Sequence, residues 1–463
     1  MSSNNVLLID FGSTYTKITA VDMSARKLLG TAAGYTTVTT DIMQGLNQAL
    51  ADLENKCGKL EFSQVLGCSS AAGGLKMVAI GLIEELTAEA AKRAALGAGA
   101  KVLGVFCGEL SSSEIKKITA LEPDIILLAG GTDGGNKTAI VHNAKLLAEK
   151  LTADIPIVVA GNKSAADQIE EILAPTKSEL VFTENVMPKI NSLNIDPARE
   201  AIRGIFLKRI IHAKGIDKAN VFVNKLLMPT PEAVLHAAEL LSRGTDKSSG
   251  IGELALVDIG GATTDVYSMA VGDPTIPNVV LRGLPEPFAK RTVEGDLGMR
   301  YSSVAVAEAV GLHKLSKIAE VSEQEFSEYL EYISTQIHVL PRDAKEQRME
   351  VALAFACVQE AVNRHTGRLE PVFMLSGKGF IQTGKDLSEV NAVIGTGGAL
   401  LKNDAPREIL KGALYNEQDA LVLKPKQAKL YLDNEYILAA MGLLAQVDKE
   451  VALEIMKETI IKD

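Results

Sequence analysis

Short apolar runs, broken by glycine and polar residues, make up the start of the chain. Their length and spacing predict a meander of three strands, formed by VLLID (6–10), ITAVDM (18–23) and KLLGTAAGY (27–35). Apolar residues then recur at helical spacing, which predicts a helix over 41–56, and a strand over 64–68 and an alanine-rich helix over 83–98 follow. This part of the chain therefore predicts the order β-β-β-α-β-α.

The pattern changes between Lys101 and Phe182, where short uncharged strands alternate with helical stretches. The strands are KVLGVF (101–106), DIILLAG (124–130), IPIVVAG (155–161) and ELVF (179–182). Continuous Val, Ile and Leu is typical of parallel strands in a sheet that is covered on both faces. The segment 101–183 therefore predicts a doubly wound α/β insertion. Its loop AGGTDGGN (129–136) matches no nucleotide-binding fingerprint, and a tight turn is favoured over a ligand role for Asp133.

A second meander begins after residue 245 and repeats the shape of the first. It consists of ELALVDIGG (253–261), TTDVYSMAV (263–271) and NVVLRG (278–283). Helices are predicted over 197–214 and over 231–243, with Thr230 as N-cap of the second, and again over much of 302–365. We expect two domains, 1–245 and 246–463, with the α/β insertion inside the first.

Composition and charge narrow the classes of function. The chain has 463 residues, 47% of them hydrophobic and 23% charged, which is typical of a folded protein with a large core. Fifty-eight acidic and 48 basic residues give a net charge of −10, which disfavours binding to nucleic acid. The four cysteines and six histidines have no metal-binding spacing. Neither a leader nor a membrane span is recognisable, so a cytoplasmic protein without membrane contact is expected.

Two hairpins carry the chemistry that the sequence offers. In DFGSTYTK (10–17), the N–H groups of Gly12, Ser13 and Thr14 can together bind an anion, and phosphate is the natural guest. Lys17 can add a positive charge, and Asp10 can hold a hydrated metal ion beside the phosphate. A plain hairpin turn is the alternative interpretation.

VDIGGATTDVYS (257–268) repeats the same arrangement in the second half. Asp258 would orient a metal-bound or attacking water, while donors to the phosphates would come from Gly260, Gly261, Ala262, Thr263 and Thr264. Two such hairpins, one in each half, suit a clamp on one triphosphate. The pair therefore predicts binding of ATP with Mg²⁺, with mere duplication of a hairpin as the alternative.

With these motifs the sequence resembles the actin-like ATPases, which include the Hsp70 ATPase domain, actin and sugar kinases. DFGSTYTK resembles the phosphate-1 loop and VDIGGATTDV the phosphate-2 loop, although Ala262 replaces a usual glycine. The resemblance implies an α/β fold with two RNase H-like lobes, and catalytic roles for Asp10, Lys17 and Asp258, the two aspartates holding Mg²⁺ through water. It also implies adenosine-side contacts in SGKGF (376–380) and GTGGALL (395–401), through Gly377, Gly379, Gly395, Gly397 and Gly398.

A narrower resemblance spans nearly the whole chain. DFGSTYTK, LLAGGTDGGN, NVMP, RTVEGDLGMR and GTGGALL resemble the MutL-type accessory proteins of adenosylcobalamin-dependent glutamate mutase, which are unrelated to the mismatch-repair proteins of the same name. This implies a slow ATPase that acts as a reactivating chaperone and releases damaged cobalamin from the mutase. A D-x-H-x-x-G cobalamin-ligand motif is absent, so the chain is not expected to bind the corrin through a histidine.

Two other functions remain open at this point, a small-molecule kinase of the same fold and a non-catalytic actin-like scaffold. The motif RTVEGDLGMR (291–300) is also open to two interpretations. Glu294 and Asp296 could reach the nucleotide cleft, or they could favour the N-terminus of a helix.

Overall fold

The computed structural model describes residues 4–12, 14–36, 42–70, 75–212, 225–374 and 377–462. These residues form two compact units. The first comprises the described residues of Met1–Val234, Gly283–Pro285 and Ala439–Val451, and the second those of Leu235–Arg282, Glu286–Leu438 and Ala452–Asp463.

The strands of the described residues are β1 (Asn5–Phe11), β2 (Tyr15–Asp22), β3 (Lys27–Tyr35), β4 (Gln64–Ser69), β5 (Lys76–Gly81), β6 (Lys101–Cys107), β7 (Ile125–Leu128), β8 (Ile157–Val159), β9 (Leu180–Phe182), β10 (Lys225–Pro229), β11 (Leu254–Ile259), β12 (Thr264–Met269), β13 (Val279–Arg282), β14 (Ala289–Glu294), β15 (Arg368–Met374), β16 (Gly377–Thr383), β17 (Ala392–Thr396) and β18 (Lys429–Leu432).

The α-helices are α1 (Ile42–Cys57), α2 (Glu89–Gly97), α3 (Ser112–Ala120), α4 (Thr138–Lys150), α5 (Ala166–Leu173), α6 (Asp196–His212), α7 (Thr230–Arg243), α8 (Ser303–Val310), α9 (Leu312–Ala319), α10 (Glu323–Thr335), α11 (Ala344–His365), α12 (Gly398–Leu401), α13 (Pro406–Leu410), α14 (Leu438–Leu444) and α15 (Lys449–Ile460). None of the helices in the part of the chain that the structure describes is long and apolar enough to cross a bilayer.

The first unit contains a five-stranded sheet in the order β3-β2-β1-β4-β10. β1 pairs antiparallel with β2, which pairs antiparallel with β3, whereas β4 is parallel to β1 and β10 is parallel to β4. β1 is buried from Val6 to Phe11. The predicted meander and the predicted strand over 64–68 are therefore confirmed.

The second unit repeats this arrangement in a sheet of order β14-β12-β11-β17-β18. Its first three strands are antiparallel neighbours, and β17 and β18 continue it in parallel from β11. In each sheet the strands, numbered along the chain, stand in the order 3-2-1-4-5, which is the arrangement of an RNase H-like lobe. The predicted fold class, an α/β protein with two RNase H-like lobes, is confirmed.

The third strand of the second sheet was predicted wrongly. NVVLRG forms β13, which belongs to a separate three-stranded sheet of order β13-β16-β15, and β14 takes its place beside β12. The strand AKRTVE is rich in charged residues and has no apolar run. Its buried residue is Arg291, which is paired with Asp265. Periodicity cannot identify a strand of this kind.

The inserted sheet has the order β6-β5-β7-β8-β9, and all its strands are parallel. This is the doubly wound order 2-1-3-4-5. The sheet begins at Lys76 rather than at residue 101, because its first strand in the chain, β5, was not among the predicted strands. The run MVAI leads directly into an apolar, helix-forming stretch, and a short apolar run of this kind cannot be assigned by periodicity alone.

The alanine-rich helix α2 connects the inserted sheet to the first sheet. Its buried alanines are Ala90, Ala91, Ala94 and Ala95. The helix packs against β5, β6 and α6, and α6 also contacts β10. Leu7 of β1, the alanines of α2 and Ile125 of β7 accordingly belong to one continuous core. Small side chains on α2 allow close approach of the neighbouring elements, so the insertion and the first sheet share their packing.

A buried histidine anchors the C-terminal end of α11 in the second unit. His365 is fully buried, with Nε2 2.8 Å from Ser268 Oγ and Nδ1 2.8 Å from Thr292 Oγ1. Burial, together with the positive charges of Lys290 and Lys385, lowers the pKa of His365 well below its usual value. The folded chain therefore keeps the ring neutral at pH values at which an unfolded histidine binds a proton.

We expect His365 to make the protein less stable in acid. The neutral ring makes its full contribution to the free energy of unfolding above the ordinary histidine pKa of about 6.5. As the pH falls below that value, the free energy of unfolding decreases by up to about 1.4 kcal/mol per pH unit. Urea unfolding at pH 7.5 and 5.5 should show a smaller acid-induced loss for His365→Gln than for the wild type. His313→Gln is the control, because the side chain of His313 is 83% exposed; equal acid losses in all three proteins would contradict the expectation.

Candidate functional site

The two predicted loops are hairpins with the same register. β1 and β2 place Asp10 opposite Lys17, and β11 and β12 place Asp258 opposite Asp265. A bond from Gly12 N–H to the Tyr15 carbonyl closes the first loop at 3.2 Å. The equivalent bond, from Gly260 N–H to the Thr263 carbonyl, closes the second at 2.9 Å. Each hairpin thus reverses over two residues, with a carboxylate at the same position on its first strand.

These closing bonds change the expected set of phosphate donors. The N–H groups of Gly12 and Gly260 are bonded within the loops, so in this conformation they do not point at a ligand. At the tip of the second loop, Gly261 and Ala262 keep N–H groups to which no backbone bond among the described residues is assigned. Thr14 is exposed at the tip of the first loop, and Ser13 lies outside the described residues.

Gly12 is required by its own hairpin. A Cβ atom at this position would lie 2.6 Å from the Tyr15 carbonyl oxygen, the oxygen that accepts the closing bond. A larger residue would therefore push the two strands apart where the loop reverses.

Asp10 is buried and hydrogen-bonded at the end of β1. Thr230 Oγ1 donates to Asp10 Oδ1 at 2.5 Å, and Cys68 Sγ donates to the same oxygen at 3.6 Å. Burial and the charge of Asp10 together raise the pKa of the Cys68 thiol well above its usual value, while Lys17 opposes the rise. Cys68 is therefore a neutral donor, and Lys17 is near enough for its charge to act on this group.

The second loop is held by the segment that follows β14. The carbonyl of Gly260 accepts from Met299 N–H, and the carbonyl of Gly261 accepts from Arg300 N–H at 2.8 Å. Ser302 Oγ donates to the Ala262 carbonyl, also at 2.8 Å. RTVEGDLGMR thus ends in residues that fix the backbone of the loop.

Glu294 and Asp296, in the same motif, bind Arg364 at 2.9 and 2.8 Å. Burial opposes the charge of Asp296, but its bonds to Arg364 lower the pKa of this carboxyl overall. Both carboxylates are thus parts of an ion-pair cluster with α11.

In the second hairpin, Asp265 has the position that Lys17 has in the first, and a buried ion pair neutralises its charge. Asp265 binds Arg291 at 2.5 Å, and the Arg291 side chain is 4% exposed. Burial opposes the charge of Arg291, but Asp265 raises its pKa above the usual value. The second loop therefore carries an Asp–Arg pair in the place where the first loop carries a lysine.

The two threonines of the second loop differ in what their hydroxyls do. Thr264 is fully buried, and its Oγ1 donates to the Leu297 carbonyl at 2.6 Å. This hydroxyl is directed into the core and not toward a phosphate. Thr263 is partly exposed, and its Oγ1 donates to Asp265 Oδ2 at 3.3 Å. Thr263 is therefore the threonine that carries its hydroxyl at the loop.

The turn after β17 lies against Asp258. β17 runs parallel to β11, with Thr396 opposite Asp258. Gly397 has a φ of +98°, and a Cβ on it would come within 2.6 Å of Asp258 Oδ1 and 2.4 Å of the Ile259 carbonyl oxygen. Gly395 packs on Leu400, and Gly398 begins α12 at the surface. The predicted turn-and-helix of GTGGALL is thus beside the second loop.

Gly377 and Gly379 occupy a different position. They lie in β16, which forms a hairpin with β15 in the three-stranded sheet, and residues 375–376 between the two strands lie outside the described residues. The described residues of SGKGF, 377–380, therefore belong to a strand and not to a strand-to-helix turn like that of GTGGALL. A nucleotide contact by Gly377 or Gly379 stays a prediction.

The glycine loop of the inserted sheet is a closed turn. Asn162 donates to the carbonyls of Gly135 and Asn136 and accepts from Gly134 N–H. Asp133 accepts from Asn185 Nδ2 and from Lys163 N–H. The structure agrees with the interpretation of Asp133 as a turn residue.

The oxygen donors of the two loops fit Mg²⁺. Among residues that the structure describes, no three His, Cys, Asp or Glu side chains form a group that could hold a metal ion. Asp10 stands at the first loop and Asp258 at the second, where the other carboxylate, Asp265, is paired with Arg291. Mg²⁺ is commonly bound through one or two carboxylates together with water and phosphate oxygens. The donor type at both loops therefore suits the ion that the sequence predicted.

Sequence reasoning missed three residues that support the loops, Cys68, Thr230 and Arg291. The sequence gives Cys68 no metal-binding spacing and predicts Thr230 as a helix cap, whereas both donate to Asp10. No spacing along the chain relates them, because Thr230 is separated from Asp10 by 220 positions. Only the pairing of β1, β4 and β10 brings them together.

Comparison with known proteins places the chain among close relatives. A family model described as "MutL protein" matches residues 6–460. The Protein MutL of Clostridium tetanomorphum is 52% identical over 458 residues, which cover 98% of this chain and 99% of that protein.

Solved structures show much weaker likeness. The gluconate kinase of Lactobacillus acidophilus is 10% identical with a TM-score of 0.35, over 99% of this chain and 92% of the kinase. The Plasmodium falciparum glycerol kinase with ADP is 12% identical with a TM-score of 0.34, over 97% and 92%. These likenesses are too weak to support an inference about the site.

Gly397→Ala should destabilise the protein by about 1–3 kcal/mol, because alanine disfavours the positive φ and its Cβ would contact Asp258 and the Ile259 carbonyl. Gly398→Ala is the matched control, since the nearest atom to its Cβ would be 3.6 Å away. Urea unfolding measures both changes. Equal stability of the two variants would show that the turn does not press on Asp258.

Proposed function

The chain belongs to the MutL protein family, and on this premise we propose that it is an ATP-binding, slowly hydrolysing accessory protein of adenosylcobalamin-dependent glutamate mutase. In this role it would use ATP to promote release of damaged cobalamin from the mutase. The family match and the narrower resemblance of the motifs support the partner. The observation that carries the ATPase part is the repeated hairpin, with Asp10 and Asp258 in the same register of two equivalent sheets.

The proposed work of the first loop is charge compensation and metal binding. Lys17 faces Asp10 across the hairpin, so a phosphate beside this pair would meet one cation and one anion. Lys17 would stabilise negative charge on the phosphate oxygens, and Asp10 would hold Mg²⁺ through water. When bound, Mg²⁺ neutralises phosphate charge and polarises the phosphoryl oxygens.

The second loop is proposed to act on the attacking water. Asp258 would orient it, and the N–H groups of Gly261 and Ala262 would bind the terminal phosphate, joined by the hydroxyl of Thr263 if it exchanges its bond to Asp265 for one to the phosphate. The Asp265–Arg291 pair supports this assignment, because it balances the second carboxylate of the hairpin and limits repulsion of the phosphates. Gly395, Gly397 and Gly398 would line the adenosine side.

The inserted sheet is proposed to contact the partner. Doubly wound sheets bind at the carboxyl ends of their strands, and there the loop after β7 exposes Gly134, Gly135 and Asn136. The shared core around α2 supports this choice, because it links the insertion to the sheet that carries Asp10.

Asp258→Asn should lower ATP turnover by about 100-fold, because the amide would no longer orient or accept a proton from the attacking water. ATP affinity, measured by calorimetry, should change far less. Asp273→Asn, at an exposed position of the same unit, is the matched control. Turnover at the wild-type rate in the Asp258 variant would exclude its proposed role.

Adding glutamate mutase that carries inactivated cobalamin should raise ATP turnover, and ATP should accelerate the return of mutase activity when fresh adenosylcobalamin is supplied. The Asp258→Asn variant should support neither effect. If turnover instead rises with a sugar or acid acceptor and not with the mutase, the chain is a small-molecule kinase. Polymer formation on adding ATP would identify a scaffold.

A further inference from the structure

Among the described residues, hydrogen bonds hold only one of the two carboxylate oxygens of Asp10. Both hydrogen bonds that it receives from the described residues end on Oδ1, from Thr230 Oγ1 at 2.5 Å and from Cys68 Sγ at 3.6 Å. The Thr230 bond has the length of a hydroxyl donating to a carboxylate, which is among the stronger hydrogen bonds in proteins. A carboxylate bound in this way cannot rotate about its terminal torsion without breaking that bond.

The three residues are aligned by strand pairing. Asp10 is opposite Cys68 in the parallel pair of β1 and β4, and Ser69 is opposite Pro229 in the pair of β4 and β10. Thr230 follows Pro229 directly and begins α7. The position of the Thr230 hydroxyl is thus fixed by β10, which is hydrogen-bonded to β4, and by α7, which follows β10 directly. It does not depend on a loop.

The second unit has a different residue at the equivalent place. Thr396 stands opposite Asp258, where the first unit has Cys68. Its Oγ1 donates to Asp433 Oδ2 at 3.3 Å, and Asp433 in turn accepts from the N–H groups of Ile437 and Leu438 at the start of α14. There the strand-end hydroxyl serves a helix terminus.

We propose that Thr230 is a positioning residue for Asp10, fixing the carboxylate through Oδ1 so that Oδ2 is presented to the hydrated metal ion. Cys68 is the second, weaker donor to the same oxygen. This inference rests on the proposed function only in the identity of the ligand at Oδ2. The orientation of Asp10 is a property of the chain itself.

Thr230→Val removes the hydroxyl and keeps the shape of the side chain, and Thr230→Ser keeps the hydroxyl. Crystal structures should show the Asp10 carboxylate rotated or in two orientations in the valine variant, and in a single orientation in the serine variant. The apparent affinity of the ADP complex for Mg²⁺, measured by calorimetric titration, should fall about tenfold for valine and stay near wild type for serine. Thr19→Val, which removes another buried hydroxyl from the same sheet, should change neither.

An unchanged Asp10 in the valine variant, or wild-type Mg²⁺ affinity with a rotated Asp10, would overturn the proposal. If the wild-type chain binds no ADP or Mg²⁺, the proposed function fails, and the crystal structures still decide whether Thr230 orients Asp10. Thr230→Ala provides the same comparison if the valine variant does not fold.

Discussion

The position of Asp10 follows from the way β1 has to be paired. The strand is buried from Val6 to Phe11, so its backbone groups need partners on both sides, and β2 and β4 supply them. A slip by one residue would exchange its two buried faces and move Asp10 to the face of Leu7, Ile9 and Phe11, which makes the register strict. The carboxylate at the end of the strand is therefore held between Lys17 on one neighbour and Cys68 on the other. The same constraint holds β11 and Asp258 in the second unit.

The two hairpins share geometry but differ in charge. The first unit places a lysine opposite its aspartate, whereas the second places Asp265 there and cancels it with the buried Arg291. A buried pair of this kind requires both partners, since removal of one would leave a charge without compensation. The two hairpins thus have the same backbone register but different charges. The first loop therefore carries a lysine beside its aspartate, and the second carries a neutralised Asp–Arg pair.

Much of the fold and the positions of both loops could be predicted from local sequence. Asp10, Gly12 and Gly260 stand at strand ends that periodicity and glycine identify, and the repeat of this pattern indicated two equivalent lobes. What could not be predicted depends on contacts between distant segments or on charge. β14 has no apolar periodicity, because its buried residue, Arg291, is held by an ion pair. β5 is followed directly by an apolar, helix-forming stretch, so its own pattern cannot be separated from that of the stretch. The hydroxyl of Thr230 resembled a helix cap, as nothing along the chain connects it to Asp10. Similarly, the closing bonds of Gly12 and Gly260 show which N–H groups are occupied only once both strands are placed.

The alanine layer of α2 has a mechanical consequence. Because that helix belongs to the same core as β1 and β7, a hinge between the inserted sheet and the first sheet would expose several methyl groups to water and open voids that close packing does not tolerate. The insertion therefore acts as a stiff arm of the first unit. A displacement of the first sheet where Asp10 sits would therefore carry the inserted sheet with it as one rigid body.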